Sequence, residues 1–261
     1  MRICPLCSGS SGNSTYVETS QTRLLIDAGL SCRKLTALLD SIGVRPDALS
    51  AICITHEHVD HVRGAAVLSR KYNIPIFANA ACHQAMYTVL ADVPRSNIRV
   101  FESDEPFVLG NATIVPFSTP HDSAHAVGYT ISDGRGCITI MTDIGHMDDR
   151  LLSMAEHSSV VLLEANHDVD MLMAGSYPYS LKMRILSPIG HLCNEDCAHA
   201  IAELARRGVK NVVLGHLSRE NNFPEIALAT VNSVLEIEGQ KDSVTVTVAK
   251  REEPTGYFET A

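Results

Sequence analysis

The stretch Thr55-His56-Glu57-His58-Val59-Asp60-His61 sets three imidazoles and the Asp60 carboxylate within six residues. Imidazole and carboxylate are natural ligands of Zn²⁺, Mn²⁺ and Fe. In an extended loop positions 56 and 58 project together, while 60 and 61 fall on the next turn, so the motif can address two neighbouring metals. A polar loop of hydrogen-bonded histidines would have no packing reason for such density. One motif cannot fill two coordination spheres, and further ligands are expected where the chain leaves other apolar strands. His121 follows Phe117-Ser118-Thr119, Asp143 follows the run from Ile138 to Thr142, and His216 follows Val212-Val213-Leu214-Gly215. Strand ends are the usual place for a site in an α/β protein. Taken singly, each of these residues is equally a cap or loop residue.

The elements that must position this set are short. Residues 2–7, 14–18 and 22–27 read as strands separated by Ser/Gly and Thr-Ser-Gln turns. Residues 33–42 have helical apolar spacing closed by Gly43, and strand 51–55 runs straight into the histidine motif. Helices at 61–72 and 79–91 bracket a strand at 74–77. Strands at 98–101, 106–109, 112–118, 126–132 and 136–142 follow, then a helix at 147–156 and a strand at 159–164. Helices at 178–187 and 194–207, a strand at 211–214, a helix at 224–237 and a strand at 243–249 complete the chain. Consecutive strands are often hairpin-like, which predicts mixed sheets with helices outside. No Pro/Gly/Ser linker divides the chain, so residues 1–261 are expected to form one domain.

Composition narrows the function classes. The 261 residues, with 45% hydrophobic and 20% charged, can bury a core without staples. No apolar run approaches the roughly 18 residues of a membrane span, and Arg2 is followed by no leader-like apolar segment, which predicts a cytoplasmic protein without a membrane partner. The eight cysteines are then expected to stay reduced. Cys4 and Cys7, three apart in a strand, should face opposite sides, as neither a zinc ribbon nor a redox dithiol would. A net charge of −9 argues against polyanion binding over the whole surface. A phosphate substrate would need a metal or a few placed cations.

In order and spacing, Asp27 in LLIDAG, His56, His58, Asp60 and His61 in THEHVDH, His121, Asp143 in MTDIG and His216 in LGHLS resemble the metallo-β-lactamase-fold hydrolases. The resemblance runs from about residue 24 to 220. More narrowly, SGSSGNS, THEHVDH, EANHD at 164–168 and HLSRENN at 216–222 resemble the YycJ/WalJ group, a nuclease group of that superfamily. The fold this implies is α/β, an αββα four-layer sandwich of two mixed sheets flanked by helices. The resemblance also implies two divalent metal ions, Zn, Mn or Fe. His56, His58 and His121 would hold one, and Asp60, His61 and His216 the other, with Asp143 bridging and Asp27 orienting ligands through hydrogen bonds.

Two metals about 3.5–4 Å apart can hold a hydroxide nucleophile at neutral pH and stabilise both the attacking and leaving oxygens of a phosphodiester. The expected activity is a metal-dependent phosphodiesterase, a 5′–3′ exonuclease on DNA with RNA as the second substrate. The same metal core serves cyclic phosphodiester, thioester and lactone hydrolysis, so a small-molecule hydrolase is the alternative. A metal-stabilised binding module is the third reading, and the complete ligand set argues against it. Asp60 and His191 are the expected catalytic residues. His191, in a Gly-His turn like that of related tRNA-processing nucleases, either donates the leaving-group proton or grips the phosphate, or else belongs to the capping region of the helix at 194–207.

Substrate contacts are expected from Ser11 and Asn13 in the Ser/Gly run, unless that run is only a tight hairpin. His167 is a further candidate, as are Ser218 and Asn221 in HLSRENN. Tyr177 and Tyr179 either stack nucleobases or pack in a Pro-containing turn. Lys182, Arg184 and Arg219 are candidate phosphate contacts.

Overall fold

The computed structural model describes residues 1–260. Its first half runs β1 (Arg2–Cys7), β2 (Ser14–Glu18), β3 (Arg23–Ile26), α1 (Cys32–Ser41), β4 (Ala51–Cys53), α2 (Val59–Val62), α3 (Ala65–Tyr72), β5 (Ile76–Asn79), α4 (Ala80–Ala85) and β6 (Ile98–Phe101). The second half runs β7 (Phe107–Leu109), β8 (Ala112–Ser118), β9 (Val127–Ser132), β10 (Cys137–Met141), α5 (Asp149–Ala155), β11 (Val160–Glu164), α6 (Val169–Ala174), α7 (Tyr179–Ile185), α8 (Asn194–Arg206), β12 (Asn211–Gly215), α9 (Pro224–Ile237), β13 (Thr245–Val248) and β14 (Phe258–Glu259).

Two seven-stranded sheets result, ordered β14-β1-β2-β3-β4-β5-β6 and β13-β12-β11-β10-β9-β8-β7. Each is mixed. In the first sheet β1, β2 and β3 pair antiparallel, and β3 to β6 pair parallel. In the second, β7 to β10 pair antiparallel and β10 to β13 parallel. The parallel strands are apolar at successive positions because both faces are covered. In β11, Val160 and Leu162 enter the core between the sheets, while Val161 and Leu163 enter the core beneath the outer helices. In β1, Ile3 faces inward, and Cys4 and Leu6 face the outer layer with Leu35, Leu39 and Leu68. This period of two sorts the side chains into three cores, and the architecture is the expected αββα sandwich.

Helix ends follow local chemistry. Pro224 opens α9 at its first turn, and α3 closes on Asn73 in the left-handed conformation at φ 55°. The expected helix at 61–72 is two helices, broken at Gly64. A Cβ there would lie 2.3 Å from the Leu30 carbonyl oxygen, and the Gly64 amide donates to the Ala28 carbonyl at 2.8 Å. That break lets the histidine loop dock on the segment after β3. The expected helix at 79–91 stops at Ala85, α6 was not expected from periodicity, and β14 extends the first sheet beyond β1. Among the described residues, no helix is long and apolar enough to cross a membrane.

Candidate metal centre

The site lies where parallel strands from both sheets end. Asp27 follows β3, the histidine loop follows β4, Asp143 follows β10, Glu164 ends β11 and His216 follows β12. Asp27, Asp143 and His216 sit in the left-handed region at φ 61°, 60° and 55°. That conformation is sterically unfavourable for L-residues and persists where surrounding contacts over-determine it, often at functional sites. Here it turns each side chain off its strand end toward a common point. His56, His58 and His121 offer ligand atoms within 4.8 Å of one another, as do Asp60, His61 and His216, and His56, His61 and Asp143.

Hydrogen bonds fix which ring nitrogen faces inward. The His61 Nδ1 lies 2.7 Å from Asp27 Oδ2, and His216 Nδ1 lies 2.8 Å from Glu164 Oε1, so each Nδ1 donates to a carboxylate. His121 Nδ1 donates to the Gly190 carbonyl at 3.0 Å. The Thr55 hydroxyl donates to Asp27 Oδ2 at 2.8 Å, so its oxygen accepts from His56 Nδ1 at 3.0 Å. With Nδ1 committed as donor, Nε2 of a neutral ring carries a lone pair. His56 Nε2, His121 Nε2 and Asp143 Oδ2 are buried without a hydrogen-bond partner in the protein. Unpaired buried polar atoms cost about 1–3 kcal/mol each, and three converging acceptors fit a divalent cation.

Charge points the same way. Among the described residues, Asp27, Asp60, Asp143 and Glu164 form ion pairs only with histidines, never with lysine or arginine. Burial alone would lower His61, but Asp143 and Asp27 hold it well above its ordinary range. Burial likewise opposes a charged His216, yet Asp143, Asp60 and Glu164 push it up to about 10. Burial and the neighbouring rings drive His56 well down. The pocket thus demands positive charge and supplies neutral imidazole lone pairs to receive it.

Glu164 is the participant that the sequence reading did not single out, although it lies in the quoted EANHD run. It is fully buried, and burial would raise its pKa, but His191 and His216 hold it below the usual carboxylate range. Its Oε1 lies 2.8 Å from both His191 Nδ1 and His216 Nδ1, and its Oε2 accepts from the Ile144 and Leu192 amides at 2.8 and 3.2 Å. A carboxylate closing the apolar strand Val160–Leu163 is the same signal that marks Asp27. His191 is not the helix cap, since Cys193 caps α8. It is partly exposed on a cavity of about 210 Å³ shared with His58, Asp60, Asp143 and His216.

The expected substrate contacts divide. Tyr177 and Ser218 line that cavity, as does Arg184, which is paired with Asp122. Asn13 is buried and bonded to Gly9 and, at 3.3 Å, to Asp60 Oδ2, so it braces the loop. Ser11 and Arg219 line a different cavity. His167 is fully buried and off the cavity wall, and burial pushes it down to about 4. Asn221 is buried with its amide on Ser218 Oγ at 3.2 Å, and its neighbour Asn222 ties HLSRENN to the Ala165 and Asn166 carbonyls. The Lys182 ammonium is spent on the Met173 and Gly175 carbonyls, both at 2.7 Å, and Tyr179 is exposed on α7.

Comparison with known proteins agrees with this architecture. Residues 22–217 match the beta-lactamase superfamily domain. The chain is 44% identical over 228 residues to exodeoxyribonuclease WalJ of Streptococcus pneumoniae, covering 87% of this chain and 85% of that protein. It is 38% identical over 234 residues to exodeoxyribonuclease YycJ of Bacillus anthracis, covering 90% and 89%. The metallo-beta-lactamase fold protein YhfI of Bacillus subtilis superposes with a TM-score of 0.74 at 18% identity, covering 99% of this chain and 100% of that one. In family model, sequence relatives and fold alike, the chain belongs to the beta-lactamase superfamily, among its metallo-β-lactamase-fold hydrolases.

Proposed function

We propose that the chain is a dinuclear metal-dependent phosphodiesterase that removes nucleotides from DNA, working from the 5′ end. His56, His58 and His121 would hold one divalent cation, Asp60, His61 and His216 the second, and Asp143 would be shared. When bound, such cations lower the pKa of water and neutralise charge on a phosphodiester. The observation that carries the reading is that His56 Nε2, His121 Nε2 and Asp143 Oδ2 are buried in one cluster without a hydrogen-bond partner. The names of the two exodeoxyribonuclease relatives supply the substrate class.

In this reading the chain's own groups divide the work. Asp27, directly and through Thr55, holds the rings of His61 and His56 in one orientation. Glu164 does the same for His216 and keeps a proton on His191 Nδ1. His191 lies on the cavity wall, where it would deliver a proton from Nε2 to the departing sugar oxygen as general acid. Tyr177 and Ser218, on the same wall, contact the terminal nucleotide.

The test is metal-loaded protein incubated with 5′- and 3′-end-labelled single- and double-stranded DNA and RNA, beside small phosphodiesters, thioesters and lactones. Stepwise release of nucleotides from the 5′ end of DNA, lost with chelator and in Asp60→Asn, is expected. Hydrolysis of the small esters alone would replace the nuclease assignment with a small-molecule hydrolase.

A further inference from the structure

We infer that a cationic cavity beside the metal centre holds the phosphate backbone of single-stranded DNA beyond the nucleotide being cleaved; the inference rests on the nuclease reading and extends it. The cavity measures about 650 Å³, with Lys34, Arg63, Arg219 and Arg251 on its walls and Leu30 and Leu38 among its apolar lining. In a chain of net charge −9 this concentration of cations runs against the average. None of the four has an ion-pair partner among the described residues. Glu252 and Glu253 also line the cavity, but Glu253 is paired with Lys250 at 2.9 Å, which leaves one uncompensated carboxylate facing four cations.

Adjacent residues of two loops line this cavity and the site on either side. Ser10 lines the metal cavity while Ser11 lines this one, and Ser218 and Arg219 divide in the same way. Arg63 stands two residues beyond His61. Arg251 is inserted between these two loops: its Nη2 donates to the Ser218 carbonyl at 3.1 Å, while its Nη1 is buried and has no partner. Gly9, at φ +150°, makes room for it, since a Cβ there would lie 2.6 Å from Nη1. With Glu252 as the single uncompensated carboxylate against four cations, the cavity keeps an excess of positive charge that a phosphate oxygen can partner. Apolar and cationic side chains lining one cavity suit a strand that sets sugars and bases against the first and phosphates against the second.

The test measures binding rather than turnover. Metal-loaded protein is titrated with a fluorescent single-stranded DNA of roughly a dozen nucleotides carrying phosphorothioate linkages, and its affinity is followed against salt concentration. The triple variant Lys34→Gln/Arg63→Gln/Arg219→Gln is compared with Arg135→Gln/Lys210→Gln/Lys241→Gln. The control removes the same charge from turns at the opposite ends of β10, β12 and β13. Each phosphate contact on a single strand contributes about 0.7 to the salt slope, so the cavity variant should lose about two from the slope, and the control none. Equal slopes in the two variants, or no binding by the wild-type chain at any salt, would overturn the cavity assignment. Failure of the nuclease reading would show separately, as intact binding with no metal-dependent release from ordinary DNA.

Discussion

Asp27 reaches no substrate cavity, yet its two oxygens set the proton positions of two imidazoles. Oδ1 accepts from the Thr55 amide at 2.8 Å, and Oδ2 takes both the Thr55 hydroxyl and His61 Nδ1. Asparagine fits the same left-handed backbone but presents an NH₂ group on one side, which cannot accept. Asp27→Asn is therefore expected to fold normally and to bind metal about 10–100-fold more weakly, read by chelator competition. Unchanged affinity would show that Asp27 serves only the turn. At this scale the residues that the structure gathers at one point were legible because the dense THEHVDH loop calls for further groups beyond other apolar strands. Glu164 obeys the same rule but is masked in the sequence, because the polar run EANHD continues past it and hides the end of β11. His167 lies off the cavity wall because the polar residues after Glu164 serve local structure, with Asp168 capping α6 and the Asn166 side chain donating to the His216 carbonyl at 3.0 Å.

Three loops make one unit at the scale of elements. The Asn13 amide donates to the Asp60 carbonyl, the Ala28 amide to the His61 carbonyl and the Gly29 amide to the Asn13 carbonyl, at 2.8, 2.7 and 2.8 Å. Gly29 sits at their crossing, where an added Cβ would fall 1.6 Å from the Asp60 carbonyl oxygen. Gly29→Ala must push the Asp60 loop away. The expected result is a folded protein with reduced metal content and activity, measured by elemental analysis beside circular dichroism. Full loading would show that the loop can shift without cost. This interlock explains which elements periodicity could not show. The helix expected at 61–72 breaks at Gly64 because its amide bonds to Ala28, a contact between residues far apart in sequence. The strands were easier, since apolar runs buried on both faces need no partner to be recognised.

For the whole molecule, the two sheets bring opposite halves of the chain to one edge, and charge is distributed unevenly around it. Buried carboxylates balanced only by histidine protons make the metal-free state pH-sensitive. His216 rises from its ordinary value of 6.5 to about 10 in the folded chain, and His61 is raised as well. A raised folded-state pKa contributes stability that is present in full below 6.5 and is lost as pH climbs toward 10. Metal-free protein should therefore melt progressively lower across that range, while the metal-loaded form, whose ligand rings hold no proton to lose there, should not. At neutral pH, removing metal held at about a thousand times its Kd should lower the melting temperature by on the order of 10 °C. Parallel melting curves for the two forms would count against a cation in the pocket. The most direct measurement is anomalous diffraction from crystals of metal-loaded protein at the absorption edge of the metal. Two peaks are predicted, one bounded by His56, His58 and His121 and one by Asp60, His61 and His216, with Asp143 in reach of both. A single peak, or peaks away from these side chains, would contradict the dinuclear centre.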